Sequence, residues 1–138
     1  MDTGMIGPVL AMAGWTMVMW VWMYLTRLPA MQAAKIEPNS IATTGLKGVL
    51  PPKVEQVANN YNHLHEQPTV FYAVAIAIAV GGLTDPILSM LAWAYVGTRI
   101  AHSIWQAAVN DVLIRFLLFL AGSIVLMAMI IVAGLKLL

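Results

Sequence analysis

The sequence predicts an all-α protein, a transmembrane four-helix bundle in one domain over residues 1–138, and three observations carry that expectation. Hydrophobic residues make up 61% of the chain and charged residues only 9%, far from the balance of a soluble domain. The apolar residues fall into long runs, and Pro, Gly, Asn and Asp gather between them. Each crossing of a ~30 Å hydrocarbon layer takes roughly 20 residues, so the length holds about four crossings and no second domain.

The first helix is expected over about 4–26, with Pro8 tolerated in its first turn and Trp15, Trp20, Trp22 and Tyr24 supplying bulk. Its apolar run is too long for a signal-peptide core and follows no basic segment, so it reads as a retained span. Tyr24 and Trp22 suit an interfacial belt, and Arg27 follows where a long side chain reaches the headgroups.

From about residue 28 to 52 the composition shifts to Pro, Gly, Ser, Thr and Lys, which marks a loop outside the bilayer. With Lys35, Lys47, Lys53 and the preceding Arg27 it is the most basic connection. The positive-inside rule then places this loop in the cytoplasm and both termini outside.

A second helix is expected over 53–80, from Pro51-Pro52 to Gly81-Gly82, with a bend at Pro68. A third over 86–106 opens with Asp85-Pro86, a capping carboxylate followed by proline at the first helical position. The fourth, over 112–135, follows a short turn in which Asn110 is the expected cap, and Ala121, Gly122 and Ser123 allow close packing.

Candidate functional residues lie where polar groups enter apolar runs. On one continuous helix Glu55, Asn59, Asn62 and Glu66 are spaced by four, three and four residues and share a face. Tyr95, Arg99, His102 and Gln106 repeat that spacing on the third helix. Glu66, Arg99, His102 and Arg115 are then the ionisable groups within or at the edge of the membrane, all in its cytoplasmic half. Unpaired charge there costs several kcal/mol, so such groups pair inside a bundle or line a wet cavity. Glu66 with Arg99 is the expected pair. Two readings follow: charges and amides that hold helices in register, with Asn59 and Asn62 as interhelical hydrogen-bond partners, or a polar pocket for a small charged ligand beside apolar walls.

Several chemistries are set aside. A net charge of +1 without basic clusters gives no case for nucleic acid, and the chain has no cysteine for disulfides, thiolate catalysis or metal-thiolate sites. His63 and His65 are two apart and face different ways on a helix, so no metal site is expected. The ten methionines suit packing gaps.

The segments Asn62-His63-Leu64-His65-Glu66-Gln67-Pro68-Thr69-Val70-Phe71-Tyr72 and Tyr95-Val96-Gly97-Thr98-Arg99-Ile100-Ala101-His102-Ser103, then Asn110 and Arg115-Phe116, together resemble the MAPEG family, membrane-associated proteins in eicosanoid and glutathione metabolism. The likeness is greatest to the bacterial branch and covers the second to fourth helices in order. It implies an integral protein of a bacterial inner membrane, a homotrimer with glutathione as co-substrate at a subunit interface. A lipophilic small molecule or membrane lipid would be reached from the bilayer. By the resemblance Asn62, Glu66, Arg99 and His102 bind glutathione, and Arg115 stabilises its thiolate as the catalytic group. The implied function is a glutathione-dependent transferase or peroxidase acting on lipophilic electrophiles. The alternative, also found in the family, is a non-catalytic lipid-binding or assembly protein, and a heteromeric partner is left open.

Two positions depart from enzymatic members. Ala58 stands where they commonly carry arginine, and Gln106 where they commonly carry tyrosine. Asn62 and Glu66 are also four apart where a spacing of three is frequent. A lost charge-assisted contact costs ~1.5 to 3 kcal/mol of affinity if nothing replaces it.

Overall fold

A computed structural model describes residues 3–138, and among them every regular element is helical. Helix α1 (Ile6–Ala33) is followed by a short 3-10 turn (Pro38–Ile41), then by α2 (Pro52–His63), α3 (Gln67–Val80), α4 (Pro86–Ala108) and α5 (Val112–Leu135). Helices α4 and α5 share the largest contact, α1 packs on α2, α3 and α4, and α2 closes on α4. By length and composition α1 and α5 are apolar enough to cross a membrane.

The first helix runs to Ala33, past the expected end at residue 26, and carries Pro29 in its interior. The missing N–H of Pro29 deprives only the carbonyl of Leu25, a residue 70% exposed, while Ala30, Met31, Gln32 and Ala33 are good helix formers. Its inward face is a methionine column: Met5, Met12 and Met19 have no exposed surface. Their flexible thioethers fill the gaps that β-branched side chains would leave.

The expected second helix over 53–80 is two helices, and this corrects the sequence reading most. Pro68 was expected to bend a continuous rod; instead α2 ends at His63 and Pro68 sits in the first turn of α3. The proline ring has no N–H to give the carbonyl of Leu64 and disfavours helical backbone at Gln67, but at a helix start neither matters. Breaking the rod at residues 64–66 satisfies both demands.

Helix α4 starts behind Asp85, whose Oδ1 accepts from the Leu88 N–H at 2.7 Å. Helix α5 is capped by Asp111, which accepts from the Ile114 N–H at 3.0 Å, so Asn110 is not the cap. Asn110 instead takes a left-handed backbone, φ +61°, and its N–H donates to the Trp105 carbonyl at 2.7 Å, ending α4. Asparagine tolerates that conformation better than most residues. Gly122 faces α4, where an added Cβ would lie 3.0 Å from Thr98 Oγ1, so its small size permits the close approach.

Polar bonds cross the interior at defined heights. Asn60 Nδ2 donates to Ser103 Oγ at 2.9 Å, and the Ser103 hydroxyl donates back to Asn60 Oδ1 at 3.1 Å, joining α2 to α4. Gln67 Nε2 donates to Ser123 Oγ at 2.8 Å and joins α3 to α5. Asn59 and Asn62, interhelical partners on the first of the two readings, are exposed, and buried Asn60 takes that role.

Candidate functional site: a buried guanidinium behind an imidazole and arginine recess

Helix α4 turns its polar face fully inward. Tyr95 and Arg99 have no exposed surface, His102 is 2% exposed and Gln106 7%. Tyr95 is held by stacking on Phe71, ring centroids 4.5 Å apart, and by α3, whose Gln67 Oε1 accepts from its hydroxyl at 3.4 Å. Below it, Arg99 has no such partner: Nε, Nη1 and Nη2 all lack a hydrogen bond among the described residues. The Phe119 ring, 5.4 Å from the guanidinium carbon, offers the nearest recorded compensation. A cation over an aromatic face gains ~0.5 to 2 kcal/mol, less than the several kcal/mol of burying the ion. Such a guanidinium is suited to an anionic ligand or partner group.

Phe119 connects Arg99 to a recess of about 230 Å³ between α4 and α5, lined by His63, His102, Val112, Arg115, Phe116 and Phe119. His102 and His63 lie with ring centroids 5.2 Å apart, and His63 packs on Phe119 at 5.5 Å. His102 Nδ1 has no hydrogen-bond partner among the described residues. At the rim Arg115 Nη1 donates to Asn110 Oδ1 at 2.5 Å, so the residue that ends α4 also orients the cation one turn into α5. Asn110 thus serves the site through a backbone conformation that spacing alone does not reveal.

Glu66 and Arg99, the expected pair, form neither a hydrogen bond nor an ion pair. The carboxylate of Glu66 meets His63 Nδ1 at 2.8 Å, and its side chain is 67% exposed. The cause is the break after His63: Glu66 leaves the helical path on which it would have aligned with Asn62. Glu55, Asn59 and Asn62 keep their shared face and line a second cavity of about 320 Å³ with Arg27 and Lys47. The predicted residues therefore fall into two groups. His102 and Arg115 line one recess, Arg99 lies behind it and Glu66 reaches it through His63, whereas Asn62 opens on the other cavity.

Sequence reasoning missed His63, Phe116 and Phe119 as parts of the recess. His63 and His65 diverge: His63 Nδ1 meets Glu66 at 2.8 Å, whereas His65 Nδ1 contacts the Tyr61 carbonyl at 2.9 Å. Phe119 sits one turn after Arg115, a spacing that would have placed it beside the cation. Of the two departures from the enzymatic pattern, Ala58 is buried against the second cavity and Gln106 is buried with Oε1 unpartnered among the described residues.

Neither the curated proteins nor the solved structures offer a match to the chain. The model of the MAPEG family, by contrast, matches residues 5–135 of 138, nearly the whole chain, and its apolar helices agree with a membrane protein. The chain belongs to the MAPEG family.

Proposed function

We propose that this protein is a glutathione-dependent membrane transferase or peroxidase acting on lipophilic electrophiles. One observation carries the reading: a guanidinium without exposed surface and, among the described residues, without a hydrogen-bond partner, Arg99, lies behind a recess that also holds Arg115 and His102, whose Nδ1 likewise has no hydrogen-bond partner among the described residues. Family membership supports the same class of chemistry. Glutathione carries two carboxylates and a thiol, which suits separated cations. Arg99 would bind a carboxylate, and His102 would bond through Nδ1. Arg115, already oriented by Asn110, would favour the charged sulfur and lower the thiol pKa, because a fixed cation stabilises the anion more than the neutral thiol. Phe116 and Phe119 supply the apolar wall against which a lipophilic electrophile would meet that sulfur.

Asn62 enters this reading only through a second subunit, since in one chain it lies on a different cavity from Arg115. A homotrimer in which the Asn62 face of one copy meets the recess of the next would unite the groups. In this reading the connection between α1 and α2, residues 34–51 rather than the expected 28–52 because α1 continues to Ala33, lies on the cytoplasmic side, where glutathione is supplied.

The test is the ultraviolet absorbance of the glutathione thiolate on titration into the purified protein at neutral pH. The expected outcome is a saturable thiolate signal that Arg115→Ala abolishes while the thermal melt is retained. No signal from the unsubstituted protein would overturn the enzymatic reading in favour of a non-catalytic lipid-binding or assembly role.

A further inference from the structure

The recess between α4 and α5 holds a cation suited to a thiolate, but some group there must also take the proton that a thiol gives up. Arg115 stays protonated and has no lone pair to offer. Val112, Phe116 and Phe119 carry no base, so of the six lining residues only His63 and His102 can accept a proton. Their rings lie 5.2 Å apart between centroids, yet their surroundings differ. His102 is 2% exposed, and its Nδ1 has no hydrogen-bond partner among the described residues. A proton added there would meet the charges of Arg99 and Arg115 with no carboxylate bonded against them. His63 faces the same two guanidinium groups, but Glu66 Oε2 meets its Nδ1 at 2.8 Å. A carboxylate accepts, so Nδ1 carries the proton of the neutral ring and Nε2 is left with its lone pair. The Glu66 side chain is 67% exposed, so the pair runs from the recess to water.

We infer, resting on the glutathione reading, that His63 Nε2 accepts the thiol proton and that Glu66 is the positioning residue, fixing the ring and balancing the charge it gains. The step is a proton transfer alone. The S–H bond breaks, its electron pair stays on sulfur beside Arg115, and an N–H bond forms at Nε2. The proton then passes to bulk water on the exposed side of the pair. Arg115 sets how much thiolate is present at equilibrium, because a fixed cation stabilises the anion. His63 sets how fast that thiolate appears, because a positioned base lowers the barrier to proton loss. The two roles therefore separate in a time-resolved measurement.

The experiment is stopped-flow absorbance of the glutathione thiolate on mixing glutathione with the purified full-length protein at neutral pH, with and without imidazole in the buffer. His63→Ala should slow the appearance of thiolate about a hundredfold, the lower end of general-base catalysis, and retain the final amplitude. Imidazole should restore the rate, which a loss of packing alone would not allow. Glu66→Gln should slow the rate about tenfold at unchanged amplitude, the loss expected of one charge-assisted hydrogen bond. Its exposed position keeps the test decisive if His63→Ala fails to fold. His65→Gln, whose ring turns to the Tyr61 carbonyl, should leave the rate unchanged. An unaltered rate in His63→Ala or in Glu66→Gln, or a slow His63→Ala that imidazole leaves slow, would overturn the assignment and leave the glutathione reading standing. So would imidazole rescue of His102→Ala in place of His63→Ala. Absence of any thiolate in the unsubstituted protein would overturn both.

Discussion

A carboxamide and a hydroxyl, Asn60 and Ser103, exchange two hydrogen bonds in the dry contact between α2 and α4, and their burial sets what each is worth. Truncating either one strands the other. Asn60→Ala is therefore expected to cost ~1 to 3 kcal/mol, the desolvation of an unpaired buried group, and Ser103→Ala a similar amount. The double substitution should cost clearly less than the sum, because it leaves no stranded partner. Equilibrium unfolding of the four proteins in one detergent checks this, and strict additivity would show that the bonds are not coupled. Sequence periodicity brought this helix to notice but selected Asn59 and Asn62, since it assumed the stripe of Glu55 and Glu66 faced the interior. The buried asparagine lies one residue off that stripe, and nothing in the spacing separates the two faces of a helix that is polar on both. The shared inward face of Tyr95, Arg99, His102 and Gln106 was legible because α4 is otherwise mostly apolar, whereas Ser103 on the same helix did not stand out.

At the level of elements, the start of α4 was readable because Asp85 and Pro86 make it, whereas the cap of α5 was expected one residue early, at Asn110 rather than Asp111. Asp85 followed by Pro86 announces the start of α4, and the carboxylate does accept from Leu88. It also meets Lys136 at the far end of α5, so one carboxylate joins two helix ends. The Leu88 N–H, and then Lys136, hold the Asp85 carboxyl below its ordinary pKa. A lowered carboxylate pKa stabilises the fold above the unfolded value, and that contribution is lost as pH falls through the folded value. The melting temperature should thus decline as pH drops below roughly 4, and Asp85→Asn should flatten that decline while lowering the melt at neutral pH. Differential scanning calorimetry across that range reads the effect, and an unchanged pH profile in Asp85→Asn would exclude it. Asn110 and the break at residues 64–66 were not readable in the same way. Asn110 adopts a left-handed conformation that its neighbour Asp111, an equally good cap, leaves it free to take. Pro68 is compatible with a kink inside one helix or with the start of another, and only the path of the chain decides.

On the scale of the molecule, the fold class was legible because an apolar composition of this length admits few solutions. The division of the candidate residues between two cavities was not, since it arises where α2 ends. That division makes assembly a requirement of the proposed chemistry. Native mass in detergent is expected to show three copies, and glutathione titrated into a forced monomer should give no thiolate signal. A monomer that activates glutathione fully would refute the intersubunit site. The thioether column of α1 has a separate outcome. Each sulfur of Met5, Met12 and Met19 is sealed from solvent, so a peroxide can reach it only while the helices part. Sulfoxide formed there would be polar and wedge the gap open, so oxidation inside this seam would be self-propagating, and its rate would measure how often the packed spans breathe.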